Sequence, residues 1–277
     1  MVVGEGSICY KMFSKGIGVM VEESEAIVLR YYHLGERDKI VLFFTRDFGK
    51  IKGVVRDAFL INSRYGSSLE PFSYIRLRFS ERRELARVEE VKLIKPSLKL
   101  EHSPLLLWLF SYIAELTDLF TVEHDENEPL FRLLLAVLQG VEGGIPPLVV
   151  ARYFAFWLLK LTGFMPEIRR RCARCNLLLF DKKREVYFGR EGLICKNCLS
   201  GEELSLPRLS RDGFLLLRLF FTKALSEFKE LNIPGEKIAE LRRITIYLIR
   251  MNLGKEPKSL SFLSELASPT LSGGGNR

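Results

Sequence analysis

The sequence predicts a multi-domain α+β protein, in which a small β-barrel precedes an α-helical domain that carries a cysteine-rich insert. Three observations support this fold class. Residues 23–96 contain five short apolar runs between polar turns, residues 97–255 change to helical periodicity, and two Cys-x-x-Cys pairs lie within residues 169–200. Residues 1–22 form an atypical glycine-rich extension. Residues 256–277 form a tail whose end we expect to be mobile.

The five apolar runs of the N-terminal segment are rich in Val, Ile, Leu, Phe and Tyr, which favours β-strands. They are Ala26–Tyr32, Lys39–Thr45, Lys50–Arg56, Tyr74–Phe79 and Glu84–Ile94. An open sheet of so few residues would expose both of its edges, so we expect the strands to close into a barrel. An OB-fold barrel is the leading candidate.

The helical segment begins after Pro96. Ser103 is a plausible N-cap, and Pro104 occupies a first-turn position where the missing N–H costs nothing. The predicted helices are Leu105–Thr121, Leu130–Val141, Leu148–Thr162, Ser210–Leu231 and Pro234–Asn252. Their apolar residues fall on more than one face, so the helices should pack together as a bundle.

The two Cys-x-x-Cys pairs are Cys172/Cys175 and Cys195/Cys198. Their spacing is typical of a four-cysteine ribbon around Zn²⁺, and the nineteen residues between them can form a hairpin that brings the pairs together. Four sulfur ligands leave no open position for substrate, so we predict one structural zinc ion per chain. Redox chemistry is an alternative, but it normally requires a βαβ context that is missing here.

Charge is unevenly distributed along the chain, whose formal net charge is +8. Residues 23–96 carry 15 basic and 11 acidic side chains, and residues 169–200 carry nine basic and three acidic ones. The helical stretch between them, residues 97–168, has four basic and nine acidic side chains. Basic segments that flank an acidic one favour a polyanionic partner, although a basic surface can also serve solubility.

Catalytic motifs are missing from the sequence. It contains no nucleotide-binding glycine loop, no GxSxG motif and only three histidines, so we predict a protein that is not an enzyme. The cysteines do not form a disulfide framework, and no apolar stretch approaches the ~20 residues of a membrane span. We therefore expect a cytoplasmic protein with no membrane partner.

Several motifs resemble the bacterial RecO family of recombination mediators. Glu25–Arg30 looks like the family's opening strand, and Val41–Lys50 looks like its following hairpin. The segment from Ser63 to Phe72 also resembles the family, as does Leu161–Pro166 when it is followed by Cys172 and Cys175. The resemblance covers roughly residues 24–255. The segment Arg56–Leu60 departs from it, because it supplies only one cation where relatives have several.

This resemblance implies a DNA-binding mediator of recombinational repair. Proteins of the family bind single- and double-stranded DNA and anneal complementary strands. They act with RecR, engage the C-terminal tail of single-stranded-DNA-binding protein, and indirectly help RecA to load. A nucleoid-associated location in the cytoplasm would follow.

Candidate phosphate contacts are the basic residues of the barrel and of the insert, since a barrel with cations and rings suits single strands. They are Arg30, Arg37, Lys39, Lys50, Lys52, Arg56, Arg76, Arg78, Arg169, Arg170, Arg171, Arg174, Lys182, Lys183 and Arg184. Two other functions stay open at this point. One is a zinc-ribbon nucleic-acid enzyme such as a nuclease, and the other is a zinc-stabilised scaffold for protein interactions.

Overall fold

The computed structural model describes residues 20–60, 62–80, 85–98, 103–180 and 185–260. The first five strands close into one barrel in the order β1-β2-β3-β5-β4. They are β1 (Val21–Leu34), β2 (Asp38–Thr45), β3 (Gly49–Val55), β4 (Tyr74–Ser80) and β5 (Ala86–Lys95). A five-stranded closed barrel confirms the predicted OB-fold architecture. The first strand begins at Val21, so it includes two residues of the predicted extension, whose residues 1–19 lie outside the described residues.

Closure of the barrel depends on a close approach between β3 and β5. These strands run parallel and pair only through Gly53 with Ala86 and Val54 with Arg87. A Cβ atom at Gly53 would lie 2.8 Å from Cγ2 of Val88, so a side chain at this position would push the two strands apart. Glycine therefore permits the contact that completes the barrel.

The first strand is buried on both faces. Ala26 and Val28 face the barrel interior, whereas Ile27 and Leu29 belong to the larger core that the helices build. The neighbouring β2 strand repeats this division, and its Leu42 joins the helical core. The helical domain therefore covers the outer face of β1 and β2, and this face joins the helical core while the barrel interior forms a second core.

Five helices form the rest of the molecule: α1 (Pro104–Phe120), α2 (Glu128–Glu142), α3 (Pro147–Leu161), α4 (Arg211–Thr222) and α5 (Gly235–Leu253). Ser103 caps α1 as predicted, since its hydroxyl accepts a hydrogen bond from Leu106 N. Asn127 and Ser210 cap α2 and α4 in the same way. No helix in the described ranges is long and apolar enough to cross a membrane.

The prediction of one helix over Ser210–Leu231 was wrong. The helix ends at Thr222, Lys223 is extended, and a separate 3₁₀ turn follows over Leu225–Glu230. Two effects favour the break. Leu225 and Phe228 are buried in the helical core, and the Glu227 carboxylate accepts a hydrogen bond from Ala224 N at the start of the new turn.

A buried lysine joins the barrel to the helical domain. The Lys50 ammonium donates to Asp118 Oδ1 at 2.9 Å, to Asp118 O at 2.6 Å and to Thr121 O at 2.7 Å. These acceptors lie at the C-terminal end of α1, where the helix dipole favours a cation. Arg30 also pairs with Asp118. Burial lowers the pKa of Lys50 to about 8, and the nearby Glu123 carboxylate partly opposes this shift. We call this group of contacts the seam.

Replacing Lys50 by Met should destabilise the protein, because it removes three buried hydrogen bonds and leaves the carbonyls of α1 unpaired. We expect the free energy of unfolding to fall by about 2–4 kcal/mol in denaturant titrations. Lys52→Met is the matched control, since Lys52 is more exposed and pairs with Glu123 at 2.5 Å. The Lys52→Met change should lower the free energy of unfolding by less than about 1 kcal/mol. Equal losses in the two variants would contradict the role given to the seam.

Candidate metal centre and nucleic-acid interface

The four cysteines converge on one point. Their sulfur atoms all lie within 4.8 Å of one another, and the Cys175 and Cys195 sulfurs are 3.7 Å apart. The edge of a tetrahedron with metal–sulfur bonds of about 2.3 Å is about 3.8 Å long. The cluster is therefore compatible in size with a metal ion such as Zn²⁺.

Local backbone structure explains why the cysteines meet. Asn176 adopts a left-handed conformation that closes the first turn, with Asn176 N donating to Cys172 O. Strands β6 (Val186–Gly189) and β7 (Gly192–Cys195) form the predicted hairpin, which carries Cys195 back towards the first pair. Ala173 N donates to Leu193 O at 2.8 Å and links the first turn to the hairpin.

The pKa values of the cysteine thiols differ within the cluster. Burial opposes ionisation of Cys172, but backbone N–H groups of Cys175, Cys195 and Arg174 outweigh it and lower the pKa of Cys172 to about 6. Hydrogen bonding to the Cys175 and Cys195 sulfurs, together with the charge of Cys172, raises the pKa of Cys198 to about 12. The Cys172 thiolate thus forms readily, and its negative charge opposes ionisation of the other thiols. Four thiolates can coexist only around a positive ion, which is the condition that a metal supplies.

Arg174 braces the cluster and is not a free surface cation. Its guanidinium donates to Glu191 Oε1 at 2.5 Å, to Cys198 O at 2.6 Å and to Glu203 Oε2 at 2.7 Å. These bonds tie the first cysteine pair to the segment that follows the second pair. The Glu203 and Glu191 carboxylates raise the pKa of Arg174 above its ordinary value. The donors of Arg174 are engaged by these groups, and its predicted contact with phosphate stays a prediction.

The barrel cations divide into buried and exposed groups. Lys39 is buried, with its ammonium 3.7 Å from the centre of the Tyr31 ring and 3.8 Å from Glu70 Oε1. Burial also lowers its pKa. Lys50 and Arg30 belong to the seam. Lys39 and Lys50 are buried, so neither lies on the surface where a phosphate contact was predicted. Arg30 is partly exposed and paired with Asp118, and its contact with phosphate stays a prediction.

The exposed barrel cations lie away from the seam. Arg76 and Arg78 alternate on the outer face of β4, where they lie 3.8 and 3.6 Å from Glu23 carboxylate oxygens, and Arg78 also donates to Glu90 Oε2 at 3.1 Å. Arg37 lies in the turn between β1 and β2 and pairs with Asp57 at 2.8 Å. Exposed pairs of this kind contribute little free energy, so a phosphate can replace the carboxylate at low cost. Lys52 and Arg56 complete the exposed group; Lys52 pairs with Glu123 and Arg56 is exposed.

The insert presents three consecutive exposed arginines. Arg169 pairs with Glu167 at 2.5 Å, and Arg171 donates to Asn176 O at 3.0 Å. The Arg170 carbonyl accepts a hydrogen bond from Leu179 N at 2.8 Å, and its guanidinium has no partner among the residues that the structure describes. The remaining candidates, Lys182, Lys183 and Arg184, lie outside the described residues. Sequence reasoning missed Glu191 and Glu203, because only the folded knuckles bring these carboxylates to Arg174.

The fold and the site together define a class of proteins. Its members combine an OB-fold barrel with a helical domain that carries a four-cysteine, metal-compatible insert. Two family models match this chain: "Recombination protein O N terminal" over residues 20–97 and "Recombination protein O C terminal" over residues 102–261. The chain belongs to the RecO family, which confirms the resemblance found in its motifs.

Individual relatives agree with the family models. The chain is 32% identical over 253 residues to the DNA repair protein RecO of Koribacter versatilis, covering 89% of this chain and 100% of the relative. It is 30% identical over 261 residues to the protein of that name from Bacillus pumilus, covering 93% and 100%. The counterpart from Syntrophotalea carbinolica is 29% identical over 245 residues, covering 88% and 94%.

Proposed function

We propose that this chain is a non-enzymatic mediator of recombinational DNA repair. It binds single- and double-stranded DNA, anneals complementary strands and helps RecA to load onto DNA coated with single-stranded-DNA-binding protein. The observation that carries the proposal is membership of the RecO family over both domains. The OB-fold barrel supports it, because this architecture commonly binds oligonucleotides.

Annealing by this chain needs no catalytic group. Two complementary strands repel each other through their phosphates, and a basic surface lowers that repulsion while raising the local strand concentration. The proposed surface consists of the exposed cations of the barrel and insert: Arg37, Lys52, Arg56, Arg76, Arg78, Arg169, Arg170 and Arg171. Lys182, Lys183 and Arg184 are retained as candidates on sequence grounds. Contacts to phosphate would make binding nearly independent of sequence and strongly dependent on salt.

The proposed metal is a single structural Zn²⁺ held by Cys172, Cys175, Cys195 and Cys198. Four thiolates suit zinc and leave no position for a reactive water. The ion would support DNA binding indirectly, by fixing the insert that carries Arg169, Arg170 and Arg171. Its chemistry would be limited to holding the two knuckles together.

The proposed partners follow from the family. They are RecR, the C-terminal tail of single-stranded-DNA-binding protein and, indirectly, RecA. The organisms of the named relatives are bacteria, and we propose a cytoplasmic, nucleoid-associated location for this chain as well.

Cys172→Ser should reduce the bound zinc from one ion per chain to a small fraction, measured by elemental analysis of the purified protein. Loss of the ion removes the bonds that would join the two Cys-x-x-Cys turns, so the insert should become sensitive to trypsin at its arginines. Ser200→Ala serves as a control that alters a neighbouring residue but no ligand. A Cys172→Ser variant with full zinc content and unchanged protease resistance would overturn the proposed site.

Replacing Arg169, Arg170 and Arg171 together by Ala should weaken binding to single-stranded DNA. Each lost phosphate contact should reduce the slope of log K against log salt by about 0.7. The control replaces Arg132, Arg218 and Arg243, three exposed arginines of α2, α4 and α5, and removes the same net charge. An unchanged slope in the first variant would exclude the triplet from the binding surface.

Strand annealing tests the function itself. The native chain should accelerate annealing of complementary strands, both bare and coated with single-stranded-DNA-binding protein, and the insert variant should be slower. Absence of acceleration under both conditions would contradict the proposed function. Metal-dependent cleavage of the strands would point to the nuclease alternative, and absence of DNA binding would point to the scaffold.

A further inference from the structure

One group of rings lies at the end of the β1–β2 hairpin, where Tyr31 packs against the edge of the barrel core and two further rings extend beyond it. The imidazole of His33 lies flat on the Phe59 ring, with centroids 4.1 Å apart and planes inclined by 10°. Tyr31 meets Phe59 edge-on at 6.0 Å. His33 is exposed and Phe59 is half-buried. Neither belongs to the barrel core or to the helical core, so core packing does not account for their stacking. We call His33, Phe59 and Tyr31 the ring stack.

The backbone holds the ring stack in place. Phe59 N donates to Arg37 O at 3.0 Å, and Asp57 N donates to Asp38 Oδ1 at 2.8 Å. Both bonds fix the loop after β3 to the turn between β1 and β2. Asp57 adopts a left-handed conformation at this junction, with φ of 55°. The rings therefore lie on two segments that are hydrogen-bonded to each other. These hydrogen bonds keep the geometry of the rings defined.

A buried cation supports the stack from within the hairpin. The Lys39 ammonium lies 4.7 Å from the centre of the Phe59 ring and 3.7 Å from that of Tyr31. A cation over a ring is attracted by the negative π face, and burial strengthens the attraction. Lys39 thus fixes Phe59 and Tyr31, and Phe59 supports one face of His33. Tyr31 meets His33 edge-on with ring centroids 6.5 Å apart, and the His33 side chain is exposed, so its ring remains accessible to solvent.

We propose that the ring stack is a base-stacking platform for single-stranded DNA, with the exposed ring of His33 receiving one nucleobase. Every nucleobase has a π face, so stacking of this kind tolerates any sequence. Arg37 lies beside the platform and its side chain is 64% exposed, and Arg56 is exposed in the same joined loop. A base on His33 would therefore place its phosphates next to two guanidinium groups. The proposal rests on the DNA-binding function proposed above and assigns a base contact within it.

The test compares two ligands of equal length: an oligodeoxythymidylate and an abasic strand with the same phosphates. The full-length native chain should bind the base-bearing strand more tightly. The double variant His33→Leu with Phe59→Leu keeps apolar volume but removes the π faces. It should lose affinity for the base-bearing strand by about five- to hundredfold and keep its affinity for the abasic strand. Thermal unfolding should be nearly unchanged, because neither ring belongs to a core.

Two further variants sharpen the comparison. His33→Phe keeps a flat π face and should retain the preference for bases. Phe48→Leu removes a ring that packs edge-on against Phe79 at 5.4 Å, away from the stack, and should also retain it. If the native chain bound neither strand, the proposed DNA-binding function would fail. If it bound both strands equally, or if the double variant kept the preference for bases, the platform would be refuted while DNA binding stood.

Discussion

The seam between the barrel and the helical domain is the constraint on which the rest of the structure depends. Strands β1 and β2 have apolar side chains on both faces, so the outer face must be covered by another element. The helices supply that cover, and Lys50 fixes the contact by pairing with the C-terminal end of α1. The barrel therefore cannot use this face for a ligand. The outer face of β4, the end of β5, the hairpin end and the neighbouring loops stay exposed, and these parts carry surface cations that pair with exposed carboxylates.

The insert that carries the metal-compatible cluster also depends on the helical domain for its apolar core. Phe188, Leu193 and Ile194 of the hairpin are buried in the helical core, so the insert shares that core and does not build one of its own. Its cysteine turns lie at the edge, where Arg174 and a central ion would hold them. This arrangement fixes an arginine-rich segment onto a helical stretch of opposite charge. The resulting field would direct a polyanion towards the barrel and the insert and away from the acidic helices.

Much of this fold could be predicted from the sequence because its local signals agree. Alternating apolar runs predicted the five strands, Ser103 marked the start of α1, and cysteine spacing identified the metal cluster. The basic residues in the sequence were less informative, because the sequence does not show which of them have partners in the fold. Lys39, Lys50 and Arg174 looked like surface cations, but only tertiary contacts with Glu70, Asp118 and Glu203 show where they lie. The break after Thr222 was missed for the same reason, since burial of Leu225 and Phe228 overrides helical periodicity.

Hydrogen–deuterium exchange with and without single-stranded DNA tests the central claim most directly, because it reports protection along the whole backbone. DNA should slow exchange in β4, in the turn between β1 and β2, and around Arg169–Arg171. Amides beside the seam should be unaffected; they include those at the end of α1 and His124 N, which donates to Lys50 O at 3.0 Å. Protection confined to the helical domain, or faster exchange at the seam on binding, would contradict the claim that DNA uses the surface left exposed by a fixed barrel.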